Sequence, residues 1–192
     1  FLGYCYSNLG RNASAQGAYQ QALLFEPDNT DFKLGLIKSA IALGNYDQAL
    51  ALLDELIQLQ PDKENLWTLQ ANVYVQKGQP EKAAVSLEML RRLGHAKPAQ
   101  LLLLGDLYLN QDARDLALAA YMEGVEKGAA ENLPKALRAA DILASRGALK
   151  EAGALLDKIK SSAGAGLTGT DEVKWLKLSA KVAMGTGDGA KA

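Results

Sequence analysis

Cysteine and histidine are nearly missing from this chain, with one of each among 192 residues. A single thiol forms no intrachain disulfide and a single imidazole builds no multi-histidine metal site, so disulfide scaffolds, zinc fingers and zinc ribbons are excluded. An excess of one charge is missing too. Lys and Arg number 21 against 22 Asp and Glu, and neither half of the chain is strongly basic. The electrostatic footprint of a nucleic-acid binder is therefore absent, and nucleic acid is not an expected partner. Apolar runs such as Leu101 to Leu104 fall far short of the roughly 18 to 20 residues that cross a bilayer, so no membrane insertion is expected. The first residues, Phe1-Leu2-Gly3-Tyr4, carry no basic n-region or cleavage site and say nothing of compartment.

What the chain does have is a period. Its 48% hydrophobic and 22% charged residues are those of a folded globular chain, and they are distributed in register. Gly10, Gly44 and Gly78 stand 34 residues apart, Asp112 takes the next slot, and Gly147 comes one residue late. Ala15, Ala49, Ala83 and Ala117 keep the same step, with Ala152 again one late, and Pro27 and Pro61 share it, His95 and Ala129 taking the following two slots. Three residue types in one register mark a repeat array. Within each period apolar residues recur at three and four, as in Leu50, Leu53, Leu56 and Ile57, which predicts two amphipathic helices of about 12 to 14 residues per repeat and no strands. The Gly opens a tight turn between them. Pro27 and Pro61 end the second helix, and Asp28-Asn29-Thr30 and Asp62-Lys63-Glu64 supply candidate N-caps for the next.

These residues resemble the tetratricopeptide repeat, whose pattern is Trp-x2-Leu-Gly-x2-Tyr followed by Ala, an aromatic and Pro over 34 residues. Leu2-Gly3-x2-Tyr6, Gly10, Ala15, Tyr19, Ala22 and Pro27 fit a first unit. Trp67, Ala71, Tyr74, Gly78, Ala83 and Leu87 fit a third, and Leu101-x2-Leu104-Gly105-x2-Tyr108, Ala117 and Tyr121 a fourth. The second departs from the pattern, with Ile37 where a small residue is expected and Ala40 where an aromatic is expected. The fifth keeps the small residues Ala140, Gly147 and Ala152 but lacks the aromatics and the final Pro, and a sixth starts at Trp175-x2-Leu178-Ser179. The resemblance implies an all-α, right-handed α-solenoid of stacked helix-turn-helix repeats. Residues 1–163 hold five units, the first truncated and the fifth degenerate; 164–170 form a Gly-rich loop and 171–192 a partial sixth unit.

Few residues ask for chemistry. Gly164-Ala165-Gly166-Leu167-Thr168-Gly169 matches the dinucleotide fingerprint in letters, but that motif needs a strand before it, and Lys158 to Ala163 reads as the end of a helix. Cys5 and His95 are the only thiol and imidazole, and the stack is expected to hold them far apart. Tyr6, Tyr19, Trp67, Tyr74, Tyr108, Tyr121 and Trp175 stand where the repeat packs its helices together. Asn12-Ala13-Ser14 is an acceptor sequon of low specificity. Glu81, Lys82, Glu88, Arg91 and Arg92 are expected on a solvated outer face. No catalytic residue, metal or cofactor is expected.

The resemblance also implies a binding face. In tetratricopeptide repeats the first helix of each unit lines a concave groove, and the ninth position points into it; position by position this selects Tyr4, Lys38, Asn72, Asp106 and Asp141. One turn later stand Asn8, Gln76 and Asn110, and one turn earlier Leu34, Leu102 and Leu137, expected as apolar anchors. The groove thus passes from Lys38 through Asn72 to Asp106 and Asp141. Only Lys38 and Asn72 resemble the family's clamp for C-terminal carboxylates, and the two Asp disfavour it. A non-enzymatic scaffold that binds a protein or peptide is the function implied. The alternative is a structural spacer or dimerisation segment of a longer cell-envelope or signalling protein, self-associating through its repeat ends.

Overall fold

Ten α-helices and one short 3-10 turn follow one another, with no strand among the described residues. A computed structural model describes the backbone of residues 1–187 and their side chains except those of 129–131 and 165. The helices are α1 (Leu2–Asn8), α2 (Asn12–Phe25), α3 (Thr30–Ala42), α4 (Tyr46–Leu59), α5 (Glu64–Gln76), α6 (Pro80–Arg92), α7 (Pro98–Asn110), α8 (Arg114–Ser145), α9 (Leu149–Ala163) and α10 (Gly169–Thr186). This is the all-α solenoid fold of helix-turn-helix repeats, and within residues 1–93 and within residues 94–187 helices adjacent in sequence pack against each other. Two compact units divide the chain, Phe1–Leu93 and Gly94–Ala192.

The turns at the 34-residue register all close in the same way. At Gly44 its amide donates to the Ile41 carbonyl (3.0 Å) and the next amide, Asn45, to Ala40 (2.8 Å), the paired bonds of a Schellman motif. The same two bonds recur at Gly10, Gly78, Asp112 and Gly147. The central residue lies at φ between 57° and 77° in all five, and Asp112 is the one non-glycine in that left-handed region among the described residues. The residue after it already occupies the N-cap of the next helix, so orphan carbonyls of one helix are satisfied while the other begins. At the opposite end of the hairpins, α2 and α4 stop two residues before Pro27 and Pro61. Asn29 then caps α3, its Oδ1 accepting the amides of Asp31 and Phe32 at 3.1 Å each.

Packing explains which residues recur. The ring of Tyr19 lies against both Gly3 and Gly35, where a Cβ would come within 2.8 Å and 2.2 Å of it. Tyr121 lies on Gly105 in the same way, at 2.3 Å. The second repeat solves the problem differently: Ile37 and Leu53 occupy the positions held elsewhere by a small residue and an aromatic, and both are fully buried in the core of the first unit. That is why Ile37 is tolerated where Gly3 and Gly105 are required. The second unit has its own core, in which Tyr121, Leu137, Leu143, Leu155 and Ile159 are sealed from solvent.

Two departures follow from local chemistry. Ala129 lacks the ring with which Pro27 and Pro61 end a helix, and at the expected boundary α8 is two helices joined directly across a kink, with no separate loop. Its backbone leaves helical geometry only at Gly128 and Asn132, where the Asn132 amide donates to the Gly128 carbonyl (3.3 Å). In the Gly-rich segment, Gly164–Gly166 form a 3-10 turn and α10 already starts at Gly169, with Asp171 and Glu172 in its first turn favouring that N-terminus through the helix dipole. The segment is flanked by helices, so the strand that a dinucleotide fingerprint needs is replaced by α9. The last residues assigned to the sixth unit, 188–192, lie outside the described residues.

Candidate functional site

In the first unit, α1 and α3 place three of the expected groove residues around one hollow. Tyr4 and Asn8 come from α1 and Lys38 from α3, and together with Ser7, Asn12, Tyr19, Asp31, Phe32 and Leu34 they line a cavity of about 510 Å³. Tyr4, Asn8 and Lys38 are exposed, and among the described residues none of the three side chains bonds a neighbour. Asn72 and Gln76, on α5, are likewise exposed and uncommitted. Neither borders this cavity. Leu34 is half-buried in its wall, the position expected of an apolar anchor. Sequence reasoning missed Asp31, Phe32, Asn12 and Ser7 as lining residues. The signal available for Asp31 was its spacing of seven from Lys38, which sets both on one face of α3.

The second unit treats its expected groove residues otherwise. Asp106 accepts a hydrogen bond from the Tyr121 hydroxyl (2.8 Å). Burial, reinforced by that carboxylate's charge and hydrogen bond, pushes the Tyr121 phenol far above the ordinary tyrosine range, because ionisation there would set a second negative charge beside the first. Asp141 pairs with Lys181 of α10 (3.2 Å), which also reaches the Ser145 hydroxyl (3.3 Å). Arg146 donates to the Leu109 carbonyl (2.5 Å) and to Asn110 Oδ1 (2.9 Å), so its charge sits on the C-terminal end of α7, where it is favoured. The expectation of free acidic groups at Asp106 and Asp141 is corrected: one is spent on a buried phenol, the other neutralised. Leu102 and Leu137, expected as anchors, are 4% and 0% exposed and belong to the core, because α8 and α9 cover them.

Other polar groups are structural. Lys33, 5% exposed, is held by Glu55 at 2.5 Å, and Ser86 donates to Gln70, which reaches Asp54. Burial and the neighbouring Asp54 raise the Tyr74 phenol, partly offset by Lys77. A second hollow of about 520 Å³ lies between α9 and α10, floored by Leu156, Val182 and Ala183. At its edge Trp175 donates to the Leu156 carbonyl (2.9 Å) beneath the Lys160 ammonium, 4.7 Å from the ring centroid. No cluster of three or more metal-ligating side chains occurs among the described residues, and no helix among them is long and apolar enough to cross a membrane.

Comparison with known proteins agrees with this geometry. Residues 8–73 match the family model for the tetratricopeptide repeat. The poly-beta-1,6-N-acetyl-D-glucosamine export protein of Escherichia coli (strain K12) is 38% identical over 76 residues, which is 40% of this chain and 9% of that protein. The chain therefore spans only a small part of the curated relatives it matches. Among solved structures, MamA superposes with a TM-score of 0.70 at 18% identity, covering 84% of this chain and 88% of that one. YrrB, described as a tetratricopeptide protein with an unusual peptide-binding site, superposes with a TM-score of 0.59 at 19% identity over 90% and 94% of the two chains. With the repeated Schellman turns, the small residues beneath Tyr19 and Tyr121, and the matching model over residues 8–73, residues 8–73 are a tetratricopeptide-repeat segment and the remaining described helices continue the same helix-turn-helix fold.

Proposed function

We propose that the chain is a non-enzymatic scaffold that binds a protein or peptide on the face formed by the first helices of its repeats. The observation that carries this reading is the cavity of the first unit, where Tyr4, Asn8 and Lys38 converge with their polar atoms uncommitted. Exposed polar side chains that bond nothing within the protein, beside aromatic and Leu surface, are what a hydrogen-bonding polypeptide requires. The peptide-binding site named for YrrB supports the same use of the fold. Asn72 and Gln76 extend the polar surface on α5. Asp106, Asn110 and Asp141 act as supports of the second unit's face, through Tyr121, Arg146 and Lys181. The test is selection from a displayed peptide library against the intact chain, followed by affinity measurement with the triple variant Lys38→Ala, Asn72→Ala, Gln76→Ala. These exposed positions leave the cores untouched, so a loss of tenfold or more supports the reading. Equal affinity for every selected peptide removes it.

A second reading is favoured by one specific observation, the 38% identity to a segment amounting to 9% of a polysaccharide export protein. In it the chain is a spacer or dimerisation segment of a longer cell-envelope protein and works through its repeat ends. Light scattering across a hundredfold concentration range separates the two, since a concentration-dependent dimer belongs to the second and a monomer at all concentrations to the first.

A further inference from the structure

The cavity of the first unit has a feature that a generic peptide groove does not need. Its α3 wall carries Asp31 at one end and Lys38 at the other, with Leu34 between them. Seven residues of helix separate the two charges, or two turns and roughly 10.5 Å. Neither is neutralised: among the described residues no ion pair joins Asp31 or Lys38 to anything, and Lys63, which borders a smaller hollow on the other side of Asp31, forms none with it. The rest of the lining is uncharged at its side chains, with the aromatic rings of Tyr4, Tyr19 and Phe32 and the amides of Asn8 and Asn12 beside small residues such as Ser7 and Gly35.

Resting on the peptide-binding reading above, we propose that this cavity takes a Pro-containing extended segment carrying one basic and one acidic residue three positions apart, the basic side chain facing Asp31 and the acidic one Lys38. Three arguments converge on that ligand. A polyproline II segment rises about 3.1 Å per residue with three residues per turn, so positions k and k+3 lie on one side and roughly 9.3 Å apart, close to the helical spacing of the two charges. A β-strand fits less well, because residues three apart point to opposite sides. An α-helical ligand with charges seven apart matches in length, but two turns of a helix about 10–12 Å wide fill on the order of 1000 Å³, twice the cavity. Finally, aromatic walls suit proline rings, and the polyproline II backbone bonds nothing internally, which leaves its carbonyls free to accept from the Asn8 and Asn12 amides.

The experiment uses the whole chain, isotope-labelled, and end-capped peptides of sequence Ala-Lys-Pro-Pro-Glu-Ala and the reversed order Ala-Glu-Pro-Pro-Lys-Ala. Controls are Ala-Lys-Pro-Glu-Ala, with the charges two apart, and Ala-Gln-Pro-Pro-Gln-Ala, uncharged. Amide shifts should concentrate at residues 4–12 and 31–39, with one order of the three-apart peptides binding about two- to fivefold more tightly per charge pair than the uncharged one at low salt and the advantage fading at high salt. The double variant Asp31→Lys, Lys38→Glu should invert the preferred order. Because Asp31 also favours the N-terminus of α3, Lys38→Glu alone, at an exposed site outside any internal bond, serves as the variant with no folding cost, and it should abolish the order preference. Shifts at these residues that ignore spacing and order overturn the charge rule and leave the peptide-binding reading standing. No shift at them with any of the four peptides, the uncharged one included, overturns the use of this cavity for peptides altogether.

Discussion

Gly105→Ala is the change that tests the packing logic most directly. A Cβ at Gly105 comes 2.3 Å from Cε1 and 2.4 Å from Cδ1 of Tyr121, against ordinary carbon contacts of about 3.5–4.0 Å, so the ring must retreat by more than an ångström. It has nowhere to go. Tyr121 is fully buried, and its hydroxyl is tied to Asp106 at 2.8 Å. Overpacking of this kind costs about 1–3 kcal/mol, and stretching a shielded hydrogen bond adds about 1 kcal/mol. Against this stands the gain of roughly 1 kcal/mol for replacing Gly by Ala inside a helix. The net expectation is a loss of about 2 kcal/mol, read by urea denaturation followed by circular dichroism. Tyr121→Leu alone also destabilises, by leaving a cavity and an unpaired Asp106, but the double variant Gly105→Ala, Tyr121→Leu should cost clearly less than the two losses added. Its pairing approaches that of Ile37 and Leu53, which the first unit already accommodates. If Gly105→Ala is neutral, or stabilises by the amount that helix propensity alone gives, the small-under-aromatic explanation of the repeat is wrong for this unit.

Three further expectations follow from other parts of the molecule. Asp112→Gly should raise stability by about 0.5–1 kcal/mol, because it relieves a left-handed residue at φ 57°, whereas Gly44→Ala, at φ 77°, should lower it by roughly 1–2 kcal/mol; parallel thermal melts of the two variants decide it. Glu55→Ala should cost about 1 kcal/mol, since it strips the partner from the nearly buried Lys33, while Asp47→Ala, which removes the fully exposed partner of Lys77, should change urea stability by less than about 0.5 kcal/mol. Ultraviolet titration should find Tyr121 still protonated well above the ordinary tyrosine range. A phenol raised in the folded state contributes stability that is complete below its unfolded value of about 10 and is lost as the pH climbs from there toward the folded value. Alkaline unfolding of the second unit should therefore be gentler in Asp106→Asn, which removes both the charge and the charged acceptor that raise the phenol.

The fold was legible because each repeat marks its corners with residues whose backbone needs are local. A left-handed turn position selects Gly wherever it falls, so Gly10, Gly44, Gly78 and Gly147 announce the period on their own, and Asp112 could be placed by register alone. The prolines after α2 and α4 likewise mark boundaries by what they forbid. Where a mark is missing, the local argument stops: with Ala129 in place of a proline, the break within α8 falls at Gly128 and Asn132, and no spacing rule carries that information. The Tyr19 ring shows the same limit from another side. Its contact with Gly3 follows from the repeat, but its contact with Gly35 joins consecutive repeats at a position outside the register of the small residues, and only the packed structure shows it.

The candidate site was legible to a lesser degree because a repeat rule assigns direction and leaves partners open. The ninth position of each first helix does point outward enough to be polar at all five places, yet what each side chain then meets differs. Lys38 finds no partner, Asp106 finds the hydroxyl of a buried ring, and Asp141 finds a lysine forty residues on. Those encounters are set by residues such as Tyr121 and Lys181, which the ninth-position rule does not specify. Burial is decided in the same way. Leu34 stays half-open, whereas Leu102 and Leu137, one turn before ninth positions of their own helices, are enclosed in the core that α8 and α9 complete. A groove position therefore fixes a side chain's direction and not its partners. Availability depends on neighbouring helices, and in this chain it is met together by Tyr4, Asn8 and Lys38 around one cavity of the first unit.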